Sequence, residues 1–217
     1  MMKINFPLLD DPIEIENATV VVVEEQSLFA KLIKQFYQFS EKEQLKVYDD
    51  SFKSLKSTEL LVITDILGFD VNAPSVVKLI YADLEDQLNE KPEVKTNIEQ
   101  MANKITEMIN LELLSHELDL ESDEITILEL FKALGIKIET QSDTIYEKIY
   151  EILQIFKYLS RKKLLVFINV CSYFSIDEFI ELKHYIAMAN IDVLFLEPRK
   201  FFNIQQYVID SNFYLSH

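Results

Sequence analysis

The apolar residues of this chain follow two periodicities that alternate along the sequence. Runs of consecutive apolar, mostly β-branched residues predict buried strands, whereas apolar residues recurring every three or four positions predict amphipathic helices. The segment 4–15 alternates loosely and carries Pro7 and Pro12, which favours two short edge strands around a turn. Further strands are predicted at 19–23, 60–64, 164–170, 192–196 and 206–209.

Helical periodicity is concentrated in the middle of the chain. Single helices are predicted at 26–39 and 176–189, each next to predicted strands. From Ala73 onward the chain is predicted to consist mainly of long helices; Gly135 is expected to cap one of them, and 136–138 to form a short strand. The middle helices are predicted at 74–88, 94–118 and 125–134, with another starting near Ser142.

This order of elements describes one α/β sheet interrupted by a helical insertion. With 217 residues, 49% of them apolar, the chain can bury a sizeable core. It shows no leader-like start and no long uncharged apolar run, so a cytoplasmic protein without membrane contact is expected. The single cysteine, Cys171, follows an apolar run and is expected to be a small buried hydrophobe.

The net charge of -16, from 37 acidic and 21 basic residues, argues against nucleic-acid binding if the charge is spread evenly. It is not spread evenly, because several short stretches are locally basic. Lysines lie between the first long helix and the second buried strand, others flank Gly135, and a basic run precedes the strand at 164–170. Contact through these residues would be with phosphates and indifferent to base sequence.

A dense acidic segment is the second candidate for chemistry. Together with Glu112, the segment 117–124 holds six carboxylates within thirteen residues and contains no Lys or Arg. Alternating carboxylates on an extended segment point one way, which is how oxygen ligands gather around calcium. The glycine and spacing of an EF-hand are absent, and a plain solvated acidic surface is the alternative interpretation.

The unit formed by the strand 19–23, a turn and the helix 26–39 has the order of a nucleotide-binding α/β protein. The turn, however, contains Glu24 and Glu25 where phosphates would lie, and no glycine-rich phosphate loop occurs in the chain. The sequence therefore predicts an NTPase architecture without NTPase chemistry. No catalytic residues are predicted, since the three histidines are scattered and match no catalytic motif.

Several longer stretches resemble the streptococcal form of the type II-A CRISPR adaptation protein, and the similarity runs essentially from end to end. They are LVITDILGFDVN at 61–72, NEKPEVK at 89–95, ELDL at 117–120, DEITILEL at 123–130 and VLFLEPR at 193–199.

The resemblance implies an α/β, P-loop-ATPase-like head domain without a nucleotide site, here 1–72 and 160–217, interrupted by a helical leg domain at 73–159. It also implies a homotetrameric ring that binds calcium and threads linear double-stranded DNA through a lysine-lined channel. Members of this family act in spacer acquisition together with the CRISPR integrase proteins and the effector nuclease, and are not known as enzymes.

With this resemblance, the acidic segment becomes the leading calcium candidate. The expected metal ligands are Glu117, Asp119, Glu121, Asp123, Glu124 and Glu139. The expected DNA-contacting residues are Lys46, Lys53, Lys56, Lys132, Lys137, Arg161 and Lys163. Two alternatives stay open: a metal-dependent nuclease that uses the acidic segment, and an acidic scaffold that docks a basic protein partner without touching DNA.

Overall fold

The computed structural model describes residues 2–6, 9, 11–40, 44–140, 142–159, 162–201 and 204–216. The chain divides into two compact units: a sheet unit, residues 1–69 and 141–217, and a helical unit, residues 70–140. The strands are β1 Met2–Asn5, β2 Ile13–Ile15, β3 Ala18–Val23, β4 Lys46–Tyr48, β5 Leu60–Ile63, β6 Leu164–Ile168, β7 Asp192–Glu197, β8 Tyr207–Ile209 and β9 Leu215–Ser216. The helices are α1 Gln26–Tyr37, α2 Pro74–Asn89, α3 Pro92–Leu113, α4 Ile127–Ala133, α5 Ile145–Tyr158 and α6 Ile176–Ala189.

The centre of the sheet unit is a six-stranded sheet with the order β5-β6-β7-β3-β8-β9. All neighbouring strands are parallel except β8 and β9, which are antiparallel. All five residues of β6 are buried, as are five of the six in β7. Continuous apolar runs suit such strands, because helices cover both faces of a parallel sheet. The predicted α/β class with a parallel sheet is confirmed.

Aromatic side chains fill part of this core. The rings of Phe167 and Phe195 stack across neighbouring strands with centroids 5.6 Å apart, and Phe179 of α6 meets Phe195 edge-on at 5.3 Å. All three side chains are completely buried. Cys171 is also buried, as the sequence predicted.

Helix α5 belongs to the sheet unit, which corrects the expected boundaries of the leg, 73–159. The helical unit ends at Thr140 instead of residue 159 and begins at Asp70 instead of Ala73. The reason is packing: the ring of Tyr146 meets Phe174 at 6.4 Å, and Tyr150 meets Tyr185 at 4.6 Å. Helical periodicity shows that α5 has an apolar face, but not which unit that face packs against.

A second sheet of three strands has the order β2-β1-β4, and both pairs are antiparallel. The strands β1 and β2 were predicted as edge strands, but β1 is central because β4 pairs with its free side. Strands β4 and β9 were not predicted. The predicted strand at 136–138 is wrong: the backbone of Ile138 instead bonds to the side chain of Asn72, its N–H donating over 2.8 Å and its carbonyl accepting over 3.0 Å.

The helical unit has a much smaller core. Its buried centre consists of Tyr81, Ile127 and Phe131, with partly buried apolar residues around them. The Tyr81 hydroxyl donates to the carbonyl of Ile136 over 3.0 Å. Gly135 has a φ of 62°, the left-handed conformation expected of a residue that follows a helix end. Among the residues described, no helix combines the length and apolar character needed to cross a bilayer.

Candidate functional site

One basic feature with a hydrogen-bonded backbone is the loop between β4 and β5, residues 49–59, called here the basic loop. The Asp49 N–H donates to the carbonyl of Lys53 over 3.0 Å, and the Leu55 N–H donates to that of Val47 over 2.8 Å. Phe52 lies in the turn of this loop and has a left-handed backbone conformation, with a φ of 59°. Leu55 is buried, so the loop is anchored in the core at its middle.

Two of the predicted DNA-contacting lysines lie on this loop. The side chains of Lys53 and Lys56 are exposed, and neither forms an ion pair with any residue that the structure describes. Their backbones are fixed by acids: the Lys53 N–H donates to Asp49 Oδ1 over 3.0 Å, and the Lys56 N–H donates to Glu59 Oε2 over 2.8 Å. The loop thus combines a hydrogen-bonded backbone with two exposed ammonium groups that form no ion pair among the described residues.

Lys163 has a different environment. Its Nζ atom lies 3.3 Å from Asp49 Oδ2 and 2.9 Å from Glu59 Oε1. The hydrogen bond to Glu59 is the main cause that raises the pKa of Lys163. The pKa of Glu59 is lowered, first by the backbone N–H of Lys56 and then by Lys163. Backbone donation from Lys53 likewise lowers the pKa of Asp49.

The other predicted basic residues are distributed over both units. Lys46 lies on β4 and is partly buried, and Arg161 falls outside the described residues. Lys132 is in the last turn of α4 and Lys137 follows Gly135, both exposed in the helical unit. Lys162, which was not predicted as a contact, donates to the carbonyl of Leu60 over 2.6 Å, and burial lowers its pKa.

The acidic segment 117–124 lies in the helical unit. Glu117, Asp119, Glu121, Asp123 and Glu124 are all exposed, and within the described ranges none of them forms an ion pair. The Ser122 hydroxyl donates to the side-chain oxygen of Asn110 over 2.6 Å, which ties the segment to α3. Glu139 is exposed near the end of the same unit.

The structure of one chain does not gather these acids into a cluster. In the part of the chain that is described, no three His, Cys, Asp or Glu side chains lie close enough together to hold a metal ion. The donor type, exposed carboxylate oxygen, is the one calcium prefers. A calcium ion at this segment would therefore need further oxygen ligands from backbone carbonyls, from water or from a neighbouring copy.

The turn between β3 and α1 is where a nucleotide-binding protein would hold phosphate. Here the Glu25 side chain accepts the N–H groups of Ser27 and Leu28 and the Ser27 hydroxyl. These contacts, with the Ser27 hydroxyl first, lower the pKa of Glu25. The start of α1 is therefore occupied by the protein's own carboxylate, which repels an incoming phosphate.

One buried acid was not singled out from the sequence. Glu197 ends β7 with 3% of its surface exposed, and its Oε1 atom accepts the N–H groups of Val170 and Cys171 over 2.8 and 2.9 Å. Burial raises the pKa of Glu197 and also that of the Cys171 thiol. The sequence signal for this residue is an acid that directly follows an apolar run. Its burial, however, depends on the neighbouring turn that carries Val170 and Cys171.

These features define an α/β protein whose largely parallel sheet is interrupted in sequence by a helical unit. The family model described as CRISPR-associated protein (Cas_Csn2) matches residues 38–213. A curated relative from Streptococcus agalactiae, named CRISPR-associated protein Csn2, is 55% identical over 215 residues, 99% of this chain and 97% of the relative. A second curated relative of the same name, from Enterococcus faecalis, is 55% identical over 216 residues, which are 100% of this chain and 99% of the relative. The chain belongs to the Csn2 family of CRISPR-associated proteins.

A solved structure also shares the fold. The crystal structure of Stu0660 of Streptococcus thermophilus matches with a TM-score of 0.55 and 14% sequence identity, covering 100% of this chain and 75% of that one. At this identity the likeness supports the fold alone. The resemblance noted in the sequence is confirmed by the family match and by the two close relatives.

Proposed function

We propose that this protein binds linear double-stranded DNA from its ends, without sequence preference, as a calcium-dependent homotetrameric ring during CRISPR spacer acquisition. It acts by binding and not by catalysis, in the cytoplasm, alongside the CRISPR integrase proteins and the effector nuclease. Membership of the Csn2 family supports the CRISPR context.

The observation that carries the DNA-binding proposal is the basic loop. Lys53 and Lys56 expose ammonium groups from a backbone that is already held by hydrogen bonds, so little further backbone entropy is lost when they meet phosphate. The net charge of -16 does not oppose this, because a ring would sum the fields of its lysines inside one channel. Sequence-independent binding follows, since phosphate contacts carry no base information.

The homotetramer is supported by the outer face of α3. Val94, Met101, Ile105 and Met108 share one stripe of this helix at intervals of seven, four and three residues, and all are exposed. An exposed apolar stripe of this kind marks a contact surface. A second copy of the chain is the occupant we propose.

We also propose that the sheet unit is a P-loop-ATPase-like head without a nucleotide site and that the helical unit is the leg. The capping of α1 by Glu25 supports the loss of the nucleotide site, because the first N–H groups of the helix already have an acceptor. The proposal that calcium binds rests on the chemistry of the donor atoms: the acids of the segment 117–124, with Glu139, supply oxygen ligands. A bound calcium ion would neutralise these acids and relieve their mutual repulsion.

A mobility-shift comparison of linear and closed-circular duplexes of one sequence, with calcium and with chelator, tests this function. We expect binding to the linear form alone, lost on chelation, with log K falling against log salt by about 0.9 per phosphate contact. Chelation that left both the tetramer and DNA binding intact would overturn the calcium dependence.

The same assay separates the alternatives. Equal binding to both DNA forms would mean that DNA contacts an open surface of the protein instead of passing through a channel. Cleavage of the duplex with magnesium or manganese would favour the nuclease, and no retention of linear duplex at low salt would favour the protein scaffold.

A further inference from the structure

Lys163, which directly precedes β6, is connected to the basic loop through two carboxylates, and each carboxylate uses both of its oxygens. Asp49 accepts the N–H groups of Ser51 and Lys53 on Oδ1 and the ammonium of Lys163 on Oδ2. Glu59 accepts the Lys56 N–H on Oε2 and pairs with Lys163 through Oε1. Each acid thus joins Lys163 to the backbone of one exposed lysine.

Lys163 is well placed to act as an anchor. The next residue, Leu164, begins a fully buried strand, and the Lys163 N–H donates to the Glu59 carbonyl over 2.7 Å. Because one ammonium lies within salt-bridge distance of both Asp49 and Glu59, the two carboxylates are close neighbours. Removing the positive charge would leave them to repel each other and loosen both ends of the loop.

The same contacts make Lys163 a poor phosphate ligand. Its charge is already balanced by two carboxylates, and a phosphate would have to compete with both of them. Lys53 and Lys56 form no ion pair among the described residues, and the charge of Lys53 makes only a lesser contribution to the lowered pKa of Glu59, after the Lys56 N–H and Lys163.

We propose that Lys163 is a positioning residue: it fixes Asp49 and Glu59, which in turn hold the backbones of Lys53 and Lys56 in the orientation that meets DNA. This inference rests on the proposed function for its DNA part, and it assigns Lys163 a role different from the direct contact expected from the sequence.

A double-mutant cycle distinguishes the two roles. Lys163→Met should weaken binding to linear duplex by about tenfold in the wild-type background. With Lys53→Met and Lys56→Met already present, the same substitution should change affinity by less than about twofold, because Lys163 acts only through those residues. An equal loss in both backgrounds would mean that Lys163 contacts DNA itself and would overturn the proposal.

A second measurement requires no DNA. Hydrogen exchange at the amides of Lys53 and Lys56 should accelerate in Lys163→Met and return to the wild-type rate in Lys163→Arg, which keeps both ion pairs. Lys200→Met is the matched control, since Lys200 forms an exposed pair with Glu24 at 3.3 Å in the same unit; it should leave these amides unchanged.

Unchanged exchange at both amides in Lys163→Met would refute the positioning role, provided that thermal unfolding shows the variant to be folded. If the wild-type protein does not bind linear duplex, the proposed function fails, while the exchange data still decide whether Lys163 holds the loop. The two failures are therefore distinguishable.

Discussion

The sheet unit and the helical unit bury their apolar residues to very different extents. In the sheet unit every residue of β6 is buried. In the helical unit α3 is 22 residues long, yet Ala102 is its one buried residue among those described. Met101 and Met108 on the same helix are 65% and 69% exposed.

The difference in burial reflects cores of different size in the two units. The sheet unit has a continuous core of buried residues from both of its sheets and from α1. The helical unit has a three-residue centre and leaves its longest helix largely uncovered. We propose that association with other copies, through the exposed stripe of α3, adds to the stability of this unit.

Removing one ring from each core should give the largest effect. Phe195→Ala deletes a completely buried ring that contacts two others, and should lower the free energy of unfolding by about 3–5 kcal/mol. Phe131→Ala in the helical unit should cost less, because its ring has one aromatic partner, Tyr81, in a small cluster. Urea unfolding followed by circular dichroism measures both, and an equal or larger loss in Phe131→Ala would contradict the comparison.

The elements of the sheet unit are largely predictable because its strands are runs of apolar residues. β3, β6 and β7 were expected from such runs, and α6 has the predicted bounds, 176–189. β4 is only three residues long, with Val47 and Tyr48 after Lys46, and exists through its pairing with β1. Pairing between distant segments has no local signature, so β4 could not be predicted.

Prediction of the candidate site is limited in the same way, by contacts between distant segments. The sequence identified the basic residues as a group, but it could not show that Lys163 pairs with Asp49, which lies 114 positions away. It also could not separate Lys53, whose ammonium is free of ion pairs in the described structure, from Lys163, whose ammonium is shared by two acids. Residue type predicts charge, whereas the partner of a charge depends on the fold.

A smaller effect should come from the buried acid of the sheet unit. Burial raises the pKa of Glu197 above its unfolded value near 4.3, so the folded state binds the proton more tightly. The contribution of Glu197 to stability is therefore present at low pH and is lost as pH rises from about 4.3 through the folded pKa. The acids of the segment 117–124 in the helical unit are, by contrast, all exposed.

Glu197→Gln removes this titration while keeping an oxygen to accept the Val170 and Cys171 N–H groups. The variant should gain stability relative to wild type as pH rises, by about 1.4 kcal/mol for each tenfold difference between the folded and unfolded dissociation constants. Urea unfolding of both proteins from pH 4.5 to 8 measures the trend. A wild-type protein that gained stability over the variant with rising pH would show that the carboxylate is stabilised by its two backbone donors more than burial destabilises it.

The smallest effect on folding should come from Met108→Gln on the exposed stripe of α3. In dilute protein the free energy of unfolding should change by no more than about 0.5 kcal/mol, since Met108 is 69% exposed. Self-association should nevertheless weaken, because the substitution places a polar amide on the surface that we propose a second copy covers. Met188→Gln is the matched control: Met188 is 74% exposed on α6 of the sheet unit and should affect neither property. Sedimentation equilibrium over a range of concentrations measures the association. If Met108→Gln and Met188→Gln associate alike, the stripe is not a contact between copies.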